Sequence, residues 1–148
     1  IRENLTLSSL GDFTRVFHLN LKAEAAKAAE FVKRMAIKIA SLEHPVSNLS
    51  GGNQQKVVIG KWLATAPKVI ILDEPTKGID IGSKAAVHAF ISELASEGLS
   101  IIMISSELPE ILGMSDRVMV MREGLQAGIF DRKDMSAELL VRAATGNA

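Results

Sequence analysis

The first half of the chain carries helical spacings of apolar residues. Residues 1–20 hold short apolar clusters broken by small polar residues, which predicts a short helix followed by a loop. From residue 21 to about residue 42, apolar side chains recur every three or four positions among Ala, Lys and Glu. This spacing predicts an amphipathic helix that Pro45 limits. The pattern over residues 51–66 predicts another helix, with Ser50 as its N-cap.

The second half alternates between continuous apolar runs and a further helical pattern. Residues 69–72 and 101–104 are apolar throughout, as expected of parallel strands that are buried on both faces. Between them, residues 85–94 have helical spacing, and Gly98 stands where a left-handed residue would end that helix. A strand, a helix and a strand in succession imply a right-handed crossover in a parallel sheet.

The last part of the chain predicts an antiparallel hairpin between two short helices. Two apolar segments, 117–121 and 126–130, are joined by a short turn and predict a hairpin at the edge of the structure. We expect Ser105 or Ser106 to cap the helix before the hairpin, and Ser136 to cap the helix after it. The pattern as a whole predicts an α/β fold.

Composition narrows the class of protein. The 148 residues are 47% hydrophobic, which suffices for one domain with a core. Seventeen basic and seventeen acidic residues balance, so no general attraction to nucleic acid or to anionic lipid is expected. There is no cysteine, which excludes disulfides and thiolate metal sites and is compatible with a reducing cytosol.

The longest apolar run is far shorter than the roughly 20 residues that cross a bilayer. Because no initiator Met is present, we expect the sequence to be a fragment.

Candidate chemistry begins at Ser50-Gly51-Gly52, directly in front of a helical pattern. Residues without side chains let a ligand approach backbone N–H groups, and the positive end of a helix attracts anions such as phosphate. The alternative is an ordinary capped helix start in a solvated turn. This stretch alone leaves both interpretations open.

Two adjacent carboxylates, Asp73 and Glu74, follow the first apolar run. The carboxyl ends of parallel strands are where open α/β sheets bind their ligands. There Asp73 would hold Mg²⁺, directly or through water, and Glu74 would polarise the water that attacks a phosphoryl group. The alternative is that Asp73 or Thr76 only satisfies loop amides. The apolar strand before the pair and Pro75-Thr76 after it favour the phosphate interpretation.

Three stretches together resemble the nucleotide-binding domain of ATP-binding cassette transporters. They are LSGGNQQ (49–55), VIILDE (69–74) and PTKGID (75–80), which resemble the signature motif, the Walker B strand and the D-loop in the order of that family. The resemblance covers essentially the whole chain. Residues 53–56, GIDIG (78–82) and SSELPE (105–110) are most similar to the second cassette of bacterial monosaccharide importers, of the ribose, galactose, xylose or arabinose type.

This resemblance implies a fold, a reaction and partners. The fold would be a partial P-loop NTPase (RecA-like) core with parallel strands and an antiparallel edge hairpin. Residues 1–65 would form an N-terminal α-helical signature subdomain, and residues 66–148 the C-terminal half of the ATPase core. The parent protein would be the ATP-hydrolysing subunit of a sugar importer, with ATP and Mg²⁺ as cofactors, peripheral at the cytoplasmic face of the bacterial inner membrane. Its partners would be a second cassette, a permease and, indirectly, a periplasmic sugar-binding protein, but no nucleic acid.

The resemblance also implies a binding role for the signature stretch. Ser50, Gly51 and Gly52 would hold the γ-phosphate of an ATP that the partner cassette binds, with Gln54 as a neighbour of that site. The site would therefore be completed only across the interface of two cassettes.

Four further residues would serve the chain's own nucleotide site. The resemblance gives Glu74 and Asp73 the catalytic roles, with Asp73 as the Mg²⁺ ligand, and places Asp80 at the site and at the dimer contact. Ser106 stands where the family commonly has a histidine that contacts the γ-phosphate. A serine donates one hydrogen bond but cannot carry a proton near neutral pH as an imidazole can, which bears on hydrolysis at this site.

The chain also departs from the family in having no P-loop. Its one Gly-Lys pair is Gly60-Lys61, where Gln55 and Trp62 occupy the positions that a P-loop needs for its leading Gly and its hydroxyl. We therefore expect this segment alone not to bind ATP appreciably. Two other functions stay open: a soluble cassette ATPase of translation or DNA repair, and a non-catalytic dimerisation or regulatory module.

Overall fold

Six α-helices and six short strands follow one another along residues 1–15 and 18–146, the part of the chain that the computed structural model describes. They belong to two compact units, Ile1–Ile102 and Met103–Ala148. The subdomain boundary predicted after residue 65 stays a prediction. In chain order the elements are α1 (Arg2–Thr6), a 3-10 helix (Leu7–Phe13), β1 (Thr14–Arg15), β2 (His18–Leu19), α2 (Leu21–Arg34), a 3-10 helix (Val46–Asn48), α3 (Gly51–Leu63), β3 (Val69–Asp73), α4 (Ile81–Ser96), β4 (Ser100–Ile104), α5 (Leu108–Met114), β5 (Arg117–Arg122), β6 (Leu125–Asp131) and α6 (Ala137–Thr145).

In the first unit α1 packs against both α2 and α3. Leu5 and Met35 are fully buried at this contact. Gly60 of α3 permits the close approach, because a Cβ at that position would lie 2.9 Å from both Leu5 Cδ2 and Met35 Sδ. Glu24 of α2 is buried as well, and the Thr6 hydroxyl donates a hydrogen bond to its carboxylate at 2.8 Å. These contacts fix α3 in the core of the unit.

α2 ends at Arg34, well before residue 42, so the prediction of a longer helix is wrong. Ala36 takes the left-handed conformation with φ 48°. Its N–H donates to the carbonyl of Lys33 at 3.1 Å, and the N–H of Ile37 donates to the carbonyl of Val32 at 2.9 Å. This pair of bonds is a Schellman motif, which reverses the chain and buries Ile37. Met35 and Ile37 are buried at this turn, whereas Ala36 is exposed and Ile39 is half-buried, so the apolar residues after Arg34 do not form one helical face.

β3 and β4 are hydrogen-bonded neighbours joined through α4, as the strand–helix–strand pattern predicts. Ile70 and Leu72 of β3 are buried, whereas Val69 and Ile71 are 51% and 63% exposed and Ile102 of β4 is 53% exposed. The prediction that these strands are buried on both faces is therefore wrong. One face rests on the core of the unit, while the described residues do not cover the other.

Several turns follow the sequence predictions. Gly98 ends α4 with φ 95°. In the second unit, β5 and β6 pair antiparallel through a two-residue turn at Glu123 and Gly124, whose φ values are 51° and 79°. Two positive φ values define a type I′ turn, the form whose twist suits a tight hairpin. Ser136 caps α6, and its side chain accepts a hydrogen bond from the N–H of Leu139 at 3.2 Å.

The start of α5 differs from the prediction. Its N-cap is Glu107 rather than Ser105 or Ser106. The Ser105 hydroxyl accepts a hydrogen bond from the N–H of Glu107 at 3.0 Å, so it stabilises the turn before the helix and not the helix itself.

Among the residues described, no helix has the length and apolar content needed to cross a membrane.

Candidate functional site

The N-terminus of α3 is organised by its own polar side chains. Ser50 occupies the N-cap position, as predicted, but its hydroxyl makes no capping bond to the helix backbone. It accepts a hydrogen bond from Asn53 Nδ2 at 3.0 Å, and Asn53 Oδ1 accepts one from the backbone N–H of Lys38 at 3.2 Å. Gln54 Nε2 donates to the carbonyl of Leu49 at 2.7 Å. Among the described residues, Ser50 therefore leaves the first N–H groups of α3 without a side-chain cap.

Gly51 and Gly52 lie against the residues that begin α4. A Cβ on Gly51 would come within 2.8 Å of Ile79 Cγ2. A Cβ on Gly52 would come within 2.9 Å of Ser83 Cβ and 3.5 Å of its Cα. Both glycines are thus required by packing inside this chain, independently of any ligand. The same contacts bring the stretch that resembles the signature motif beside the one that resembles the D-loop.

Asp80 is the N-cap of α4. Its Oδ1 accepts a hydrogen bond from the backbone N–H of Ser83 at 2.9 Å. Hydrogen bonds from the side chain and backbone of Ser83 lower the pKa of the Asp80 carboxyl below its ordinary value of 3.8. A negative charge at this position also interacts favourably with the helix dipole. Asp80 therefore has a clear structural role at the predicted site.

Glu74 lies in the tight turn that follows β3. Its backbone is left-handed with φ 48°, a conformation that costs most residues with a Cβ roughly 1–2 kcal/mol. The carbonyl of Glu74 accepts a hydrogen bond from the N–H of Lys77 at 3.1 Å. Pro75 and Thr76 are buried directly after it. Glu74 is one of four non-glycine residues with a positive φ in the described part of the chain, and it is the one to which a catalytic role was given from the sequence.

The carboxylate of Asp73 terminates β3 and is exposed. No group of three or more His, Cys, Asp or Glu side chains that could hold a metal occurs among the described residues. Mg²⁺ is typically bound by only one or two carboxylates together with phosphate oxygens and water. One exposed carboxylate at the end of a strand therefore fits Mg²⁺ held jointly with a nucleotide.

The structure brings some of the predicted site residues together. Ser50, Gly51 and Gly52 lie at the start of α3, beside the start of α4 where Asp80 is the N-cap. Ser106 follows β4 in the second unit and is exposed.

Asn53 and Ser83 were not singled out by the sequence reasoning. Asn53 had a detectable signal, because a polar side chain three residues after an N-cap serine commonly bonds back to the start of its helix. Ser83 had none, since its importance depends on a tertiary contact with Gly52.

Two known proteins are similar in sequence to this chain over its whole length. The chain is 70% identical over 148 residues to the ribose import ATP-binding protein RbsA 2 of Rhizobium johnstonii and 69% identical to RbsA 1 of Agrobacterium fabrum. In each case the match covers 100% of this chain and 29% of the relative, so the chain spans less than a third of the length of these relatives.

The fold is that of the ATP-binding cassettes. A solved dimeric cassette in a post-hydrolysis state, bound to ADP and Pi, matches with a TM-score of 0.70 and 20% sequence identity. The match covers 89% of this chain and 57% of that chain. The α/β fold class expected from the sequence is thereby confirmed. The sequence profile of the ABC transporter family matches residues 1–77, just over half of the chain, and the chain therefore belongs to the ABC transporter family.

Proposed function

We propose that this chain is the C-terminal part of the ATP-hydrolysing subunit of a bacterial sugar importer, of the ribose type. The observation that carries the proposal is the 70% identity, over the full chain, to a protein named for ATP binding in ribose import. The parent protein hydrolyses ATP to drive sugar uptake. Another cassette, either in the same parent chain or in a second copy of it, completes the nucleotide sites. The permease, and through it a periplasmic sugar-binding protein, are its further partners at the cytoplasmic face of the inner membrane.

The start of α3 receives the γ-phosphate of an ATP that the opposite cassette binds. Three features support this role: Ser50 is exposed, its hydroxyl is not used to cap the helix, and α3 has 13 residues. A helix of this length presents free N–H groups and positive potential to an anion at its N-terminus. Gly51 and Gly52 contribute their backbone N–H groups, while the space that their side chains would take is filled by Ile79 and Ser83. Gln54 acts indirectly, because its amide holds the carbonyl of Leu49 in the preceding loop.

The carboxylates that follow β3 serve the chain's own nucleotide. Asp73 holds Mg²⁺ together with phosphate oxygens, and the ion when bound neutralises phosphate charge. Glu74 orients and polarises the attacking water, and its left-handed backbone sets the direction in which the side chain leaves the turn. Asp80 fixes the start of α4 at the dimer contact. Ser106 contributes one hydroxyl donor at the position where the family commonly has a histidine.

A charge substitution at Ser50 tests the proposal in the full-length protein assembled with its permease. Ser50→Asp places a carboxylate against the incoming γ-phosphate, and we expect ATP turnover and sugar transport to fall more than about tenfold. Ser50→Asn, which also removes the hydroxyl but adds no charge, is the matched control. Both Asp and Asn are good N-cap residues, so both variants should fold, and only the first adds a negative charge.

The outcomes separate the alternatives. Turnover in Ser50→Asp that falls well below that of Ser50→Asn supports phosphate binding at the start of α3. Wild-type turnover in Ser50→Asp contradicts the proposal and favours a non-catalytic module. Association with nucleic acid in place of permease-containing membranes would favour a soluble cassette ATPase.

A further inference from the structure

We infer that Asn53 is a positioning residue that turns the hydroxyl hydrogen of Ser50 outward, toward the anion bound at the start of α3. The inference rests on the proposed function, because it concerns how Ser50 meets the γ-phosphate. It assigns Asn53 no contact with the nucleotide. Asn53 acts through Ser50, by way of the hydrogen bond between its side-chain amide and the Ser50 hydroxyl.

The backbone of Lys38 fixes the orientation of the Asn53 side chain. An N–H group can only donate, so the Asn53 atom that faces the Lys38 amide must be the carbonyl oxygen. The opposite atom of the same planar group, Nδ2, then faces Ser50. Because an amide nitrogen can only donate, the Ser50 oxygen must be the acceptor of that bond. The direction of the chain of bonds follows from chemistry and does not rest on placing hydrogens.

Because the Ser50 oxygen accepts the bond from Asn53, the hydroxyl hydrogen of Ser50 is available for an acceptor outside the helix. A serine hydroxyl has a single hydrogen, which it cannot use toward Asn53 while it accepts from Nδ2. In the hydrogen bonds of the described residues the Ser50 hydroxyl takes part as the acceptor from Asn53, and Ser50 is exposed. A hydroxyl that accepts a hydrogen bond is polarised and becomes a better donor. Ser50 is thereby prepared to donate to a phosphate oxygen.

The competing role for Asn53 is purely structural. The bond from Lys38 ties the loop after α2 to the start of α3, and this anchor alone gives Asn53 a reason to be present. A purely structural role predicts that Asn53 variants lower activity by the same factor whether or not Ser50 carries a hydroxyl. A positioning role predicts that the effect disappears once the hydroxyl is gone.

A double-mutant cycle in the full-length protein assembled with its permease tests the inference, with kcat/KM for ATP as the readout. We expect Asn53→Ala to lower kcat/KM about tenfold when Ser50 is present and less than about twofold in a Ser50→Ala background. Asn48→Ala is the matched control, since it removes an exposed carboxamide from the preceding 3-10 helix and should leave turnover unchanged.

Asn53→Asp is a second variant, which should still fold because its carboxylate accepts the hydrogen bond from the Lys38 amide. It can only accept from the Ser50 hydroxyl, so the hydrogen turns inward. We expect a loss at least as large as that of Ser50→Ala. Because the added carboxylate also repels the phosphate, the effect on the hydroxyl is measured by the part of the Asn53→Asp loss that disappears in a Ser50→Ala background.

Two results would overturn the inference. Equal losses from Asn53→Ala in both backgrounds assign Asn53 to the loop anchor alone, while the proposed function stands. Unchanged turnover in Ser50→Ala contradicts the role of the hydroxyl in the proposed function, and the inference fails with it.

Discussion

Gly52 of α3 and Ser83 of α4 are in such close contact that an added Cβ on the glycine would lie 2.9 Å from the Cβ of the serine and 3.5 Å from its Cα. The crowded atom is the Cβ of Ser83, whose position is fixed by the backbone of α4, so it cannot rotate away as the end of a long side chain can. The glycine is therefore needed to fit the two helix starts together.

Gly52→Ala is expected to destabilise the chain by about 1–3 kcal/mol through overpacking, although alanine is the better helix former. Chemical unfolding of the 148-residue chain measures this. Gly113→Ala is the matched control, since nothing lies within 4 Å of a Cβ at that helical glycine. It should be neutral or slightly stabilising. A Gly52→Ala protein as stable as the control would contradict the close contact.

The left-handed backbone of Glu74 predicts a difference between two truncations. Glu74→Gly and Glu74→Ala both remove the carboxylate, but only glycine adopts φ 48° without strain. We expect the glycine variant to be more stable by about 1 kcal/mol, although in a helix alanine is more stable than glycine. Urea denaturation curves of the two proteins measure the difference. A more stable alanine variant would show that the turn does not hold this conformation.

Asp80 predicts a dependence of stability on pH. The hydrogen bonds from Ser83 lower the pKa of Asp80 in the folded protein below its ordinary value of 3.8. The cap is therefore fully effective above that value, and its contribution is lost as the pH falls through the lower folded pKa. Asp80→Asn keeps a capping side chain but removes this titration. The difference in thermal midpoint between wild type and variant should shrink as the pH is lowered below about 4. A difference that does not change with pH would contradict the shifted pKa.

The two faces of β3 predict opposite responses to substitution in the isolated chain. Ile71 is 63% exposed, so Ile71→Thr, which keeps the β-branched shape, should change the free energy of unfolding by less than about 0.5 kcal/mol. Leu72, its neighbour, is 7% exposed, and Leu72→Ala should cost about 2–5 kcal/mol. Equal costs at both positions would mean that the outer face of the strand is covered.

Local chemistry explains which parts of the fold were predictable from the sequence. Gly98 and Gly124 mark positive φ values that few other residues tolerate, and the helix end and the hairpin turn were found through them. Ser136 caps its helix through a bond three residues away. Each of these features depends on a few adjacent residues, so a single sequence suffices to reveal it.

The features that were missed depend on tertiary contacts. Ala36 takes a left-handed conformation because the turn buries Ile37. Since Ala36 is not a glycine, the sequence gives no local signal for this turn. The site showed the same limit. Ser50 was correctly predicted as the N-cap of its helix, but its hydroxyl bonds to Asn53, whose side chain is held by Lys38, and the spacing of residues does not encode where Lys38 lies.

The contact of Gly51 and Gly52 with Ile79 and Ser83 has a mechanical consequence. The Ile79 and Ser83 side chains fill the space beside the two glycines, so the start of α3 cannot move further toward the start of α4 without a steric clash. Movement of the start of α3 in that direction therefore presses on the residues around Asp80, the N-cap of α4.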